Sequence, residues 1–202
     1  MRDTHTQIIN AARELFSTKG YAATTTKDIA KSAGISEVTL FRHFESKRNL
    51  FQVSLHSTLE DNMLLNFFEN ELTYDLDIDL KKLAHYLHII YRDNGPMIKM
   101  MLKDKEVNSF EEITKPKIEK KIRKYSDDYF ENLYEMGKIS ADPVMCRKFF
   151  FHNAVGFLMR KFVMEKCDDG IEYYDWMIEK TINAIKIDKT NNQERITNGK
   201  II

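Results

Sequence analysis

Between Gly34 and Lys47 the chain reads GISEVTLFRHFESK. Ser36, Glu37, Thr39, Arg42, His43 and Lys47 offer hydrogen-bond donors and acceptors around two apolar residues, Leu40 and Phe44. A spacing of four puts Leu40 and Phe44 on one side of a helix and leaves the polar groups on or near the other. That is chemistry for recognising a patterned polar surface. The Arg42 guanidinium can give two bonds to a guanine edge or pair with a phosphate, Glu37 can accept from cytosine N4, and Val38 can touch a thymine methyl.

Such a helix needs neighbours to seat it. The spacing of Ile8, Ala12, Leu15 and Phe16 predicts a first helix over 4–19, stopped by Gly20. Thr25 and Asp28 form the two halves of a capping box opening a second short helix, which Gly34 ends. Ser36 caps the third, and Ser46 caps a long fourth helix over 47–71. A short helix, a tight turn and a second short helix make a helix-turn-helix unit, whose second helix enters the DNA major groove. Lys47, at the start of the fourth helix, is assigned to phosphate, and Thr26 and Lys27, at the start of the second, to the neighbouring phosphates.

Residues 8–51, IINAARELFSTKGYAATTTKDIAKSAGISEVTLFRHFESKRNLF, resemble the DNA-binding domain of the TetR family of transcriptional regulators. The resemblance lies in the Gly-Tyr after the first helix, the Thr run, D-I-A-x-x-A-G, the Ser-x-x-Thr-Leu-aromatic run and the closing Phe-x-x-Lys. It implies DNA contacts from Ser36, Thr39, Arg42, His43 and Lys47. Two departures stand out. Phe41 replaces the usual phosphate-binding Tyr, leaving it van der Waals packing only, and Val38 replaces a small residue.

Beyond residue 71, helical periodicity continues and strand signals are sparse, so the chain reads as all-α with about nine helices. Further helices are predicted over 80–92, stopped by Asn94-Gly95-Pro96, over 116–136, stopped by Gly137, from Asp142-Pro143 to about 165, and over 171–187. The expected division is a helix-turn-helix domain over 1–46, a helical effector-binding and dimerisation domain over 47–187 with 47–71 as connecting helix, and a polar, frayed tail over 188–202.

The resemblance also implies a homodimer paired through two C-terminal helices and a small-molecule effector held among the remaining ones. The run FFFHNAVGFLMRKFVM fits an interface helix, giving Phe149, Phe150, Phe157 and Met159, with Trp176, Ile178 and Ile182 on its partner. Nine of thirteen Phe and nine of ten Met follow residue 51. Since Met adapts to irregular apolar shapes, an apolar or aromatic effector is expected against Phe67, Tyr86, Tyr91, Met97, Met100, Met101, Phe110, Tyr125, Tyr129 and Phe130.

Composition sets the outer limits. With 43% hydrophobic and 31% charged residues, the chain is too apolar for disorder. Its net charge is zero, but residues 1–50 carry eight Lys/Arg against five Asp/Glu and the remainder twenty-three against twenty-six, a basic start that suits a polyanion. Cys146 and Cys167 form no C-x-x-C. A reducing, cytoplasmic setting is expected, with no membrane partner. His85 and His88, i and i+3, could meet a metal or an effector's polar group, but no metal or cofactor is expected. No hydrolase, phosphate-loop or dinucleotide motif supports catalysis. The reading is a repressor whose dimer occupies a pseudo-palindromic operator and is released by its effector. The competing reading is a DNA-binding structural or interaction protein with no pocket.

Overall fold

The computed structural model describes residues 3–59, 63–103 and 117–187. Among them are nine α-helices and no strand beyond an isolated bridge between Ile139 and Lys186. No described helix is long and apolar enough to cross a membrane. The expected Phe110 and the tail over 188–202 lie outside the described residues.

The helices are α1 (Thr4–Lys19), α2 (Thr26–Ser32), α3 (Glu37–Phe44), α4 (Lys47–Leu59), α5 (Met63–Asn66), α6 (Leu76–Lys103), α7 (Lys117–Glu135), α8 (Pro143–Leu158) and α9 (Ile171–Ile185). Wider π turns follow α5 over Phe67–Glu71 and α8 over Met159–Val163. The chain gathers into two compact units. Of the described residues, one holds those within 1–63, 88–120 and 158–167, and the other those within 64–87, 121–157 and 168–187. The α6 helix contributes residues to both units.

In the first unit, local capping fixes the ends of each helix. Gly20 closes α1 at φ 85°, a backbone conformation that other residues resist. Thr25 and Asp28 form the reciprocal capping box of α2, and Ser36 Oγ accepts from Thr39 N at 3.1 Å to open α3. Ile8, Phe16, Ile29, Leu40, Phe44 and Phe51 share one buried core. Leu40 and Phe44 are 0% and 1% exposed, so burying each is worth about 1.5–3 kcal/mol.

The sequence misjudged α6. Asn94-Gly95-Pro96 was expected to stop it, yet the helix runs 28 residues with Pro96 inside. Pro96 removes one backbone donor, and Gly95 before it has no Cβ to clash with the proline ring. Tertiary packing also demands glycine there: a Cβ on Gly95 would lie 2.4 Å from the Phe162 carbonyl oxygen. Asn94 is buried and bonded on both sides, donating to Ile90 O at 2.8 Å and accepting from Arg13 Nη2 at 3.1 Å, which ties α6 to α1.

The second unit packs Leu80, Leu83, Tyr129, Phe150, Ile178 and Ile182 into its core. The Tyr174 hydroxyl donates to Ala84 O at 3.1 Å. Asp142 caps α8 by accepting from Met145 N at 3.0 Å, and Pro143 fills the first helical position.

Candidate nucleic-acid interface

Because Leu40 and Phe44 turn inward, α3 has one open face. Val38 is 79% and Phe41 43% exposed, and Ser36, Arg42 and His43 are exposed beside them. Thr39 is half-buried, its hydroxyl 2.9 Å from that of Ser36. The His43 ring lies 6.2 Å from that of His5 on α1, and His5 stacks on Phe44 at 4.8 Å. The face thus offers a guanidinium, an imidazole, two hydroxyls and two apolar tips.

Three expected contacts are otherwise engaged. The Thr26 hydroxyl donates to the Glu37 carboxylate, so Thr26 has no hydroxyl hydrogen left for a phosphate and Glu37 keeps one free oxygen for a base. Lys47 is engaged further. Its Nζ donates to Tyr21 O at 2.9 Å and Thr24 O at 3.0 Å, and lies 4.2 Å from the Tyr21 ring centroid. The ammonium clamps α4 to the α1–α2 loop and retains one N–H for anything outside. Lys27 is exposed. The acceptors Tyr21 and Thr24 were missed, since backbone carbonyls so distant in sequence leave no motif.

The expected effector residues divide between the units. Met97 and Met100, 4% and 7% exposed, belong to the core beneath the helix-turn-helix, with Met101 packed against it. They lie in that core because α6 continues past Pro96 and carries them there. Tyr91, also in the first unit, is half-buried. In the second unit, Phe67, Tyr129 and Phe130 are buried. Ring centroids are 6.0 Å apart for Phe67 and Tyr86, 6.4 Å for Phe68 with each of Tyr125 and Tyr129, and 5.4 Å for Tyr129 and Phe130. The Tyr86 and Tyr125 hydroxyls donate to Glu71 and Glu69, each at 2.8 Å. In this unit the Ser126 hydroxyl is buried without a hydrogen-bond partner among the described residues, and the buried Tyr129 hydroxyl lies within reach of the Asp79 carboxylate. Burial, then the Asp79 carboxylate, pushes the Tyr129 hydroxyl pKa far above its ordinary value.

Four expected interface residues are core instead. Phe150, Phe157, Ile178 and Ile182 are at most 8% exposed within the single chain. An α8 that is apolar nearly all round must give one side to its own core before a partner can use the other. The open apolar residues include Met145 and Phe149 on α8, at 60% and 47%, and Tyr173 and Trp176 on α9, at 47% and 53%. Tyr173 stacks on Trp176 at 5.7 Å. Met159 is half-buried.

Residues 8–53 match the family described as bacterial regulatory proteins, tetR family. Over 78 residues the chain is 44% identical to YvkB of Bacillus subtilis, an uncharacterized HTH-type transcriptional regulator, covering 38% of this chain and 41% of that protein. Over 72 residues it is 38% identical to IcaR of Staphylococcus aureus, the biofilm operon icaADBC HTH-type negative transcriptional regulator, covering 35% and 39%. The chain thus spans about two fifths of the curated relatives it matches. The fold matches much further. A TetR-family transcriptional regulator from Haemophilus influenzae superposes with a TM-score of 0.65 at 19% identity over 92% of this chain and 97% of that one. One from Marinobacter aquaeolei gives 0.64 at 17% over 92% and 96%. At such identities the likeness is one of fold.

Proposed function

From the premise that this chain belongs to the tetR family of bacterial regulatory proteins, we propose that it is a DNA-binding transcriptional repressor, acting as a homodimer whose operator affinity a small molecule lowers, and not an enzyme. The observation that carries the DNA-binding reading is the face of α3, where Ser36, Val38, Phe41, Arg42 and His43 stand open over the buried Leu40 and Phe44. Arg42 supplies the strongest base or phosphate contact, Glu37 and Val38 add discrimination, and Phe41 and Thr39 pack beside them. Repression has support from IcaR, a negative regulator alike in its matched residues.

Dimerisation draws support from the open Phe149, Tyr173 and Trp176. For the effector, the supporting observation is the buried Ser126 hydroxyl on α7, unpartnered among the described residues, in a unit rich in aromatic rings. A buried unsatisfied hydroxyl asks for a partner, so the effector is an apolar or aromatic molecule with one polar group. The near-complete burial of Met97 and Met100 in the helix-turn-helix core leaves them little surface for an apolar effector and favours the second reading, a DNA-binding protein with no effector pocket of that kind.

The test is selection of duplex DNA from a random pool by the purified chain. The expected result is a pseudo-palindrome with half-sites one helical turn or a multiple apart. Recovery of only asymmetric or unrelated sequences would reject the reading. Screening aromatic compounds for release of the selected operator then separates the two alternatives.

A further inference from the structure

The C-terminal end of α1 and the C-terminal half of α6 border an open groove of about 530 Å³, lined by Ser17, Thr18, Lys19 and Gly20 on one side and by Pro96, Lys99, Met100 and Lys103 on the other, with Glu165 at its edge. All these residues belong to one compact unit. Three ammonium groups face one carboxylate. The Ser17 and Thr18 hydroxyls already donate to Glu14 O, at 2.9 and 2.7 Å, so the groove's polar recognition rests on its lysines.

Lys19 and Lys103 each sit in the last turn of their helix, where a cation offsets the helix dipole. That accounts for two of the charges but not for the third. Lys99 Nζ binds Glu165 Oε1 at 2.7 Å, and Glu165 reaches it from a left-handed backbone at φ 53°, a conformation that residues with a Cβ resist. Lys99 first, then Lys103, hold the Glu165 carboxyl below its ordinary range. The Glu165 side chain is 67% exposed, and an exposed pair of this kind is weakly held. Glu165 is therefore an anion supplied by the chain itself, kept in a cationic groove by a strained and solvated segment.

We propose that this groove binds a small phosphorylated molecule, whose phosphate displaces the Glu165 carboxylate from Lys99 and is held by Lys19, Lys99 and Lys103 while its less polar part rests on Pro96 and Met100. A monocarboxylate would only exchange one single charge for another. A phosphate monoester carries about −1.5 to −2 near neutral pH and matches three ammonium groups better. A ligand held from both walls would clamp α1, which seats the helix-turn-helix, to α6. The site goes beyond the regulatory reading and does not depend on DNA binding.

The test is calorimetric titration of the full chain with pyrophosphate at low ionic strength. Saturable binding of one pyrophosphate per chain is expected. Lys99→Gln and Lys103→Gln each weaken it roughly tenfold, and Glu165→Gln strengthens it severalfold by removing the competing anion. Lys148→Gln, an exposed lysine on α8, leaves it unchanged. Thermal melts establish that each variant is folded. Absence of saturation, equal loss from Lys148→Gln and Lys103→Gln, or weaker binding by Glu165→Gln overturns the proposal. So does a result in which the groove variants alter only the salt dependence of DNA binding, since the lysines would then serve duplex phosphates.

Discussion

The hydroxyl of Thr26, the first residue of α2, donates to the carboxylate of Glu37, the first residue of α3. One hydrogen bond thus spans the turn between the two short helices, and it is expected to help set the angle between them. Glu37→Gln keeps an acceptor for Thr26 and should preserve the melting temperature while changing base preference at one operator position. Glu37→Ala should disturb both. A double-mutant cycle with Thr26→Ala is expected to give a coupling of about 1 kcal/mol in urea unfolding. Additive effects would mean that the contact does not set the angle.

Lys47→Met removes two charge-assisted bonds to the carbonyls of Tyr21 and Thr24 while keeping the apolar stem. It should destabilise the chain by about 1–3 kcal/mol. Under conditions where it stays folded, the salt slope of DNA binding should change little. A slope reduced by about 1 would return Lys47 to the phosphate contacts.

Phe149→Asp and Trp176→Asp alter side chains that are open in the single chain. Each should yield folded monomers in sedimentation velocity and weaken operator binding, because two linked heads bind far better than one. Phe157→Asp, by contrast, strikes the core and should unfold the chain. Dimers that survive both surface changes would place the interface elsewhere.

Gly95→Ala should cost about 1–3 kcal/mol, since its Cβ would meet backbone at Phe162 and backbone cannot swing aside. A crystal structure of a variant with unchanged stability and unmoved α6 would contradict this.

Glu71 accepts from Lys82 at 2.7 Å and Tyr86 at 2.8 Å, and these bonds, with Lys82 first, hold its carboxyl below the ordinary range. A group whose folded pKa is depressed lends stability above its unfolded value, about 4.3, and loses it as pH falls through the folded value. Melting curves of wild type and Glu71→Gln should differ near neutrality and converge in acid. Curves parallel across the whole range would remove Glu71 from the acid sensitivity.

The first three helices and the start of the fourth were legible because their signals are local. Asp28 lies three residues from its cap partner Thr25, and Leu40 and Phe44 are one helical turn apart. The α6 helix was misread because Asn94-Gly95-Pro96 is a stop signal that packing against Phe162 overrides. Periodicity marked α8 as apolar but could not tell Phe150, turned to its own core, from Phe149 beside it. The bonds of Lys47 within the chain were not legible for a similar reason: its partners are carbonyls, which every residue has.

The floor beneath the α3 face includes Met97 and Met100, well past the family-matched stretch that ends at residue 53. A gene fragment stopping there would encode every residue of the proposed DNA-contact face and only part of the table on which it rests. Transplanting that fragment onto another regulator would therefore carry over the choice of bases but not the rigidity with which they are read. The recipient's own sixth helix would have to supply the missing sulfur-rich wedge, and a chimera without it should recognise the same operator with a softer, more heat-sensitive head.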